Sequence, residues 1–139
     1  MATHQELRDL AMLRLKEAEC LFRNKFYDGC FYLCGYVLEL ALKARICKVL
    51  ALDEYPPSPR KPLGSFFMTH EFDSLKVLAR IGEELARNPA LFANWSLATR
   101  WTPQIRYEVT GHGLTEAQEM LGSLTAPRVG VLTWLKKRW

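Results

Sequence analysis

Apolar residues recur every three or four positions along most of the chain, the spacing that places them on one face of an α-helix. The first segment with this pattern runs from Gln5 to about Asn24, and its apolar positions are Leu7, Ala11, Leu15, Ala18 and Phe22. Asn24 and Lys25 then predict a short corner. A second helix is predicted from about Phe26 to Leu52.

The first half of the second predicted helix, GCFYLCGYVLEL, is apolar on nearly every face. Such a helix must be covered on all sides, and the other helices of a small domain rarely achieve this. We therefore expect part of its surface to contact a second copy of the chain in a homodimer. Because glycine weakens a helix interior by about 1 kcal/mol relative to alanine, Gly29 and Gly35 are interpreted as points where a neighbouring helix approaches closely.

A proline-rich segment, DEYPPSPRKPLG, interrupts the helical pattern after Leu52. Proline fixes φ and has no backbone N–H to donate, so four prolines within seven positions exclude a helix there. The segment is predicted to be an extended, polyproline-like loop between helices 2 and 3 of one domain.

The helical pattern resumes in the stretch MTHEFDSLKVLARIGEELARNP, which predicts a third helix that ends at Pro89. Its apolar face consists of Phe72, Leu75, Leu78, Ala79 and Leu85. A further short helix is predicted over Ala90–Thr99.

The next stretch, RWTPQIRYEVTGHGL, is predicted to be irregular because Pro103 blocks a helix before it. The last helix is predicted to begin near Glu116, since Thr115 and Gln118 have the spacing of a capping box. Pro127 lies within this helical pattern and is expected to kink it.

Composition agrees with one packed domain spanning residues 1–139, because 49% of the residues are hydrophobic and 24% are charged. The predicted fold class is therefore all-α. The net charge of +4 permits contact with phosphates, but the basic residues are spread along the chain, so charge alone decides little.

The cysteines and the apolar runs bear on the compartment. No CxxC pair or regular disulfide spacing is present, and the longest apolar run, Cys30 to Leu38, is too short to cross a bilayer. We expect a soluble cytoplasmic protein with reduced thiols and no membrane partner. Cys30 and Cys34 lie one helical turn apart, but no second pair completes a zinc site, so no metal is expected. No cofactor motif or glycine-rich phosphate loop is visible.

The segment FYDGCFYLCGYVLELALKA resembles the second helix of HEPN domains, the helical family named for its occurrence in higher eukaryotes and prokaryotes. MTHEFDSLKVL after a proline-bearing loop, and RY ahead of a final helix ending in WL, follow the order of that family. The resemblance covers nearly the whole chain. It implies an up-and-down bundle of four to five helices that usually dimerises.

The resemblance also implies a choice between two functions. Many HEPN proteins are metal-independent endoribonucleases, often toxins of toxin–antitoxin or phage-defence systems with a nucleotidyltransferase-type partner protein. Their signature is an arginine and a histidine with four to six residues between them, and Arg106 and His112 have five. Other members lack the pair and bind nucleotide, RNA or a partner protein.

The chemistry of RNA cleavage explains why these two residue types are needed. A base must take the 2′-hydroxyl proton, and a cation must hold the phosphate as charge builds on its oxygens. His112 would be the base, and Arg106 would bind the phosphate. Glu39 and Lys43, one helical turn apart and ordered for an ion pair, would support Arg106 from behind.

Two features favour a structural interpretation of the same residues. Tyr107 follows the arginine where nucleases of the family carry a polar residue, typically asparagine. Arg106 would then pair with Glu39 at the edge of the core, Tyr107 would be a packed ring, and His112 an exposed loop histidine. Six positions advance the chain about 240° around a helix, so Arg106 and His112 converge only if Gly111 and Gly113 supply a loop geometry.

The sequence thus predicts first a HEPN-like dimeric protein that binds nucleotide, RNA or a partner protein. The alternative is a metal-independent endoribonuclease that uses His112 and Arg106.

Overall fold

The computed structural model describes residues 1–58, 64–108 and 111–139, and within them the chain is almost entirely helical. The α-helices are α1 (His4–Arg23), α2 (Tyr27–Val49), α3 (Phe72–Leu78), α4 (Gly82–Arg87), α5 (Pro89–Ala98), α6 (Leu114–Thr125) and α7 (Val131–Leu135). Two 3₁₀ helices span Gly64–Phe67 and Pro103–Tyr107, and the short strands β1 (Ala2–Thr3) and β2 (Glu54–Tyr55) pair antiparallel. The predicted all-α class is confirmed.

The first two helices lie against each other along their length and form the base of the fold. Their bounds agree with the prediction to within three residues. Thr3 begins α1 with a capping box, because the Glu6 amide donates to its hydroxyl at 3.2 Å and its own amide donates to the Glu6 carboxylate at 2.7 Å. Lys25, at φ 64°, forms the corner between the helices.

Helix α2 is the centre of the core. Twelve of its 23 residues are buried within a single chain, because α1, α3, α6 and α7 all pack against it. In its first half, Tyr32, Leu33, Tyr36 and Leu40 stay partly exposed. The contact of this surface with a second copy of the chain therefore stays a prediction.

Gly29 and Gly35 do mark close approaches on α2. A Cβ at Gly29 would lie 3.0 Å from Leu21 of α1, as expected for a neighbouring helix. A Cβ at Gly35 would overlap the ring of Trp101, which is 2% exposed, so the neighbour there is a loop tryptophan.

Two predicted helices are each divided in the structure. The predicted third helix is α3 and α4, separated at Arg80, whose φ of 55° stops the first of them. The predicted kink at Pro127 is a complete break, because α6 ends at Thr125 and α7 starts at Val131. Proline removes a backbone donor and clashes with the preceding turn, so it can either kink a helix or end it.

The capping box predicted for the last helix is also wrong. Helix α6 begins two residues earlier, with Gly113 as its N-cap, and the Gly113 amide donates to the Glu116 carboxylate at 3.0 Å. Within the predicted proline-rich loop, Glu54–Tyr55 forms β2 instead. Residues 59–63 of that loop lie outside the described part of the chain.

Candidate functional site

A cleft of about 280 Å³ lies where the first turn of α2 meets the 3₁₀ helix Pro103–Tyr107 and the segment leading into α6. We call it the His112 cleft. Its lining consists of Asp28, Gly29, Tyr32, Ile105, Arg106, Glu108 and His112. The arginine and the histidine that the sequence pairs therefore line the same cleft.

His112 is held on two sides by α2. Its backbone amide donates to Asp28 Oδ1, and its Nδ1 lies 3.3 Å from the same oxygen. Its ring stacks on Phe31, with 4.0 Å between ring centroids and 8° between the planes. Asp28 and Phe31 lie three positions apart on one face of α2, so a single helical turn contacts both the edge and the face of the imidazole.

This arrangement sets the chemistry that His112 can perform. The Asp28 carboxylate accepts hydrogen bonds, so the proton of a neutral imidazole belongs on Nδ1, and Nε2 becomes the basic nitrogen. The His112 side chain keeps 22% of its exposure. His112 thus lies in a loop, as the structural interpretation expects, but it is partly buried and bonded to Asp28, and not exposed.

Asp28 is the site residue that sequence reasoning missed. It lies 84 positions from His112, and by itself it is an acid in the first turn of a helix, where the helix dipole favours it. Gly111 offers the remaining signal. A Cβ at Gly111 would overlap the Asp28 carboxylate, so this glycine leaves the space in which the carboxylate lies. Its φ is not positive, and neither is that of any other described glycine. The expected contribution of a glycine-specific backbone conformation is therefore not found here.

Arg106 is exposed at the end of its 3₁₀ helix. Its guanidinium carbon lies 4.9 Å from the centre of the Tyr107 ring. Hydrogen bonding to Tyr107, and secondarily to Tyr32, raises the pKa of Arg106 above its ordinary value. Across the described ranges none of the ion pairs involves Arg106, so the structural pair with Glu39 is not formed.

Glu39 and Lys43 form the predicted ion pair, with 2.6 Å between Oε1 and Nζ. Glu39 is buried, and the same oxygen also lies 2.6 Å from Nδ1 of His70. These contacts connect α2 to the segment before α3. The support of Arg106 by Glu39 and Lys43 stays a prediction.

A tyrosine pair connects the cleft to the core. The hydroxyls of Tyr32 and Tyr36 lie 3.1 Å apart, and this hydrogen bond raises the pKa of Tyr36 to about 12. The Tyr36 ring in turn contacts Trp101 edge to face. Tyr107 is 74% exposed, so it is not the packed ring of the structural interpretation.

The charges in the cleft are mixed. Arg106 brings a positive charge, and Asp28 and Glu108 bring two carboxylates. Asp28 is bonded to His112, which leaves Glu108 as the carboxylate not bonded to this histidine. An anion in the cleft would be attracted by Arg106 and repelled by Glu108.

The described residues contain neither a metal-binding cluster nor a helix that could span a membrane. No group of three or more histidine, cysteine or acidic side chains among them could hold a metal ion. Among the same residues, no helix combines the length and apolar character needed to span a membrane.

Comparisons of the chain with protein-family models, with curated proteins and with solved structures found no match. The resemblance to HEPN domains therefore stays a prediction from the sequence.

Proposed function

We propose that this protein is a HEPN-like RNA-binding protein that holds a phosphodiester group in the His112 cleft. The observation that supports this most directly is the placement of Arg106 and His112 on one cleft. Arg106 is exposed and takes part in none of the ion pairs of the described residues, so its N–H groups that are not bonded to Tyr107 and Tyr32 are available to a phosphate.

The surroundings of Arg106 favour single-stranded RNA. Tyr107 presents an exposed ring beside the guanidinium, and aromatic rings stack on unpaired bases. A base-paired helix would keep its bases stacked inside and leave this ring unused. The proposed ligand is therefore a single strand, with its phosphate at Arg106 and a base against Tyr107.

Binding is tested by fluorescence anisotropy with labelled single-stranded RNA. Replacing Arg106 by alanine is expected to weaken binding about tenfold, since a lost charged hydrogen bond costs about 1.5 kcal/mol. Arg87→Ala removes an equally exposed arginine on α4 and should leave the affinity unchanged. Equal affinities for the wild type and for Arg106→Ala would contradict the proposal.

A second function, metal-independent RNA cleavage, is favoured by the contact between Asp28 and His112. With its proton on Nδ1, His112 would take the 2′-hydroxyl proton at Nε2. The 2′-oxygen would attack phosphorus to form a 2′,3′-cyclic phosphate, and the leaving 5′-oxygen would take a proton from water. Arg106 would stabilise the charge on the phosphate oxygens.

Cleavage is tested by incubating the protein with RNA in EDTA and analysing the ends of the products. Cyclic phosphate ends should appear, and His112→Ala should slow the reaction at least about 100-fold. Asp28→Asn should also slow it, because it loses the carboxylate that sets the tautomer. His4→Ala serves as the control, because His4 is at the start of α1 and does not line the His112 cleft. RNA that stays intact in EDTA would exclude cleavage and leave binding untouched.

Two further parts of the proposal come from the family resemblance alone, a homodimer and a nucleotidyltransferase-type partner protein. The homodimer is tested by sedimentation velocity over a range of concentrations. Substitutions at Cys34 or Gly35 are unsuitable for this test, because both residues are buried inside the chain and a charge there would unfold it.

A further inference from the structure

A second and larger cleft, of about 590 Å³, is also lined by the 3₁₀ helix Pro103–Tyr107. Pro103 and Gln104 line this larger cleft, and the next two residues, Ile105 and Arg106, line the His112 cleft. The two clefts therefore share one short helix, so adjacent parts of one chain-like ligand can be assigned to them. The larger volume falls in the range of small-molecule sites.

The larger cleft carries hydrogen-bonding groups whose partners are incomplete. Nδ1 of His70 lies 2.6 Å from the buried carboxylate of Glu39, so in the neutral ring Nε2 is left as an acceptor. Trp101 contributes its ring to the lining, but the ring is 2% exposed and its indole N–H is buried, so this group is not one of them. Gln104 adds an exposed amide with both a donor and an acceptor.

Carboxylates determine which part of a nucleotide this cleft can take. Glu71 and Asp73 line it, and Asp73 is paired with Lys76 at 3.6 Å, whereas the exposed Glu71 carboxylate would repel a phosphate. Together with His70 Nε2, they favour a neutral ligand that offers N–H donors. A nucleobase with an exocyclic amino group beside a ring acceptor has this character, because the amino group donates and the ring nitrogen accepts.

We infer that the larger cleft binds the base next to the phosphodiester held in the His112 cleft, and that it prefers bases with an exocyclic amino group, such as adenine and cytosine, to uracil. The connection to RNA rests on the proposed function. His70 Nε2 and the Glu71 carboxylate accept from the amino group, and the Gln104 amide donates to the ring acceptor beside it. The 3₁₀ helix Pro103–Tyr107 contacts both the base and its phosphate.

The base site is tested first without any phosphate. Adenosine, cytidine and uridine are added singly to the protein, and binding is measured by saturation-transfer NMR. Adenosine and cytidine should bind, uridine should bind at least about fivefold more weakly, and Gln104→Ala should abolish the difference. Gln104 is exposed, so this variant should fold normally. Gln5→Ala is the control, because Gln5 is also exposed and lines neither cleft.

The connection to RNA is tested with hexamers of adenylate, cytidylate and uridylate. The wild type should bind the first two about fivefold more tightly than the third, and Gln104→Ala should remove this preference. Arg106→Ala should weaken all three equally and keep their ratio, because a phosphate contact carries no base information.

The two proposals fail in different ways. Equal binding of all three nucleosides, or a preference that survives Gln104→Ala, overturns the base site. Hexamers that bind and depend on Arg106 but show no base preference also overturn the base site and leave phosphodiester binding intact. Nucleosides that bind with the expected preference, together with hexamers that are indifferent to Arg106, overturn phosphodiester binding and leave the base site standing.

Discussion

Asp28 shows how much one side chain can change the chemistry of another. In the sequence it is an exposed acid at a helix start, and in the structure it bonds both the backbone and the ring of His112. Phe31, one turn further along α2, covers the face of the same ring. A histidine restrained in this way can keep one nitrogen directed at a ligand, which a histidine free in a loop cannot.

Gly111→Ala is expected to release His112 from Asp28. The added Cβ would overlap the carboxylate, so either the loop or the Asp28 side chain must move, and the hydrogen bonds are lost. Free His112 no longer stacks on Phe31, so the ring-current shifts of its imidazole protons should disappear from the NMR spectrum.

Gly122→Ala is the matched control. Gly122 lies inside α6, and a Cβ there meets no atom within 4 Å. The His112 resonances should stay in place, and the free energy of unfolding should rise by about 1 kcal/mol, because alanine favours a helix interior. Unchanged His112 shifts in Gly111→Ala would show that the contact with Asp28 does not hold this ring.

Glu108→Gln is expected to strengthen RNA binding. The substitution removes a carboxylate that lines the cleft beside Arg106, so a bound phosphate meets less repulsion. The gain should be about threefold at low salt, as for other exposed charge pairs, and should shrink as added salt screens the charges. Glu84→Gln, on exposed α4, should leave the affinity unchanged. A weaker complex in Glu108→Gln would show that this carboxylate contributes a contact.

At the scale of the elements, helices α1, α2 and α3 end in the same way. Lys25, Ala51 and Arg80 follow their caps with φ between 51° and 64°. In α3 the Arg80 amide donates to Val77 and the Ile81 amide donates to Lys76, the two bonds of a Schellman motif. Glycine is the usual residue at this position. In α3 the absence of glycine hides the helix end from the sequence, which is why α3 and α4 read as one helix.

Arg80→Gly is expected to stabilise the fold. A side chain in the left-handed region costs about 1 kcal/mol that glycine does not, so the free energy of unfolding in urea should rise by about that amount. Arg87→Gly makes the same change at the last residue of α4, where φ is not positive, and should lower it by up to about 1 kcal/mol. Loss of stability in Arg80→Gly would indicate that contacts of the arginine outweigh its backbone strain.

At the scale of the whole molecule, α2 connects the core to both clefts. Its first turn supplies Asp28, and its middle supplies Gly35, against which Trp101 packs. One turn beyond Gly35, Glu39 holds His70. The two clefts are thus built by loops that lie on one rigid helix.

Amide hydrogen exchange should be slower in the middle of α2 than in the loops that line the two clefts. Amides in the buried middle of α2, such as those of Leu38 and Leu42, should exchange only through global unfolding, because no exposed turn lies near them. Amides of the 3₁₀ helix Pro103–Tyr107 should exchange faster, since that helix is short and has no buried residue. Equal protection of the two regions by NMR would contradict the central position of α2.

The sequence by itself determined the all-α class, the long paired helices and the two residues that define the His112 cleft. These properties follow from local patterns, because helical periodicity and the chemistry of arginine and histidine do not depend on distant contacts. The sequence did not determine where α3 and α6 end. These ends lie near Arg80 and Pro127, and neither an arginine nor a proline always ends a helix.

Only the tertiary structure decided which groups meet. Asp28 and His112 are 84 positions apart, and His70 joins Glu39 across 31 positions. It also decided which residues of α2 are buried within the chain, because burial depends on how the other helices pack and not on the pattern of α2 itself. The partners of a buried or charged side chain are set by the fold, and periodicity along the chain carries no record of them.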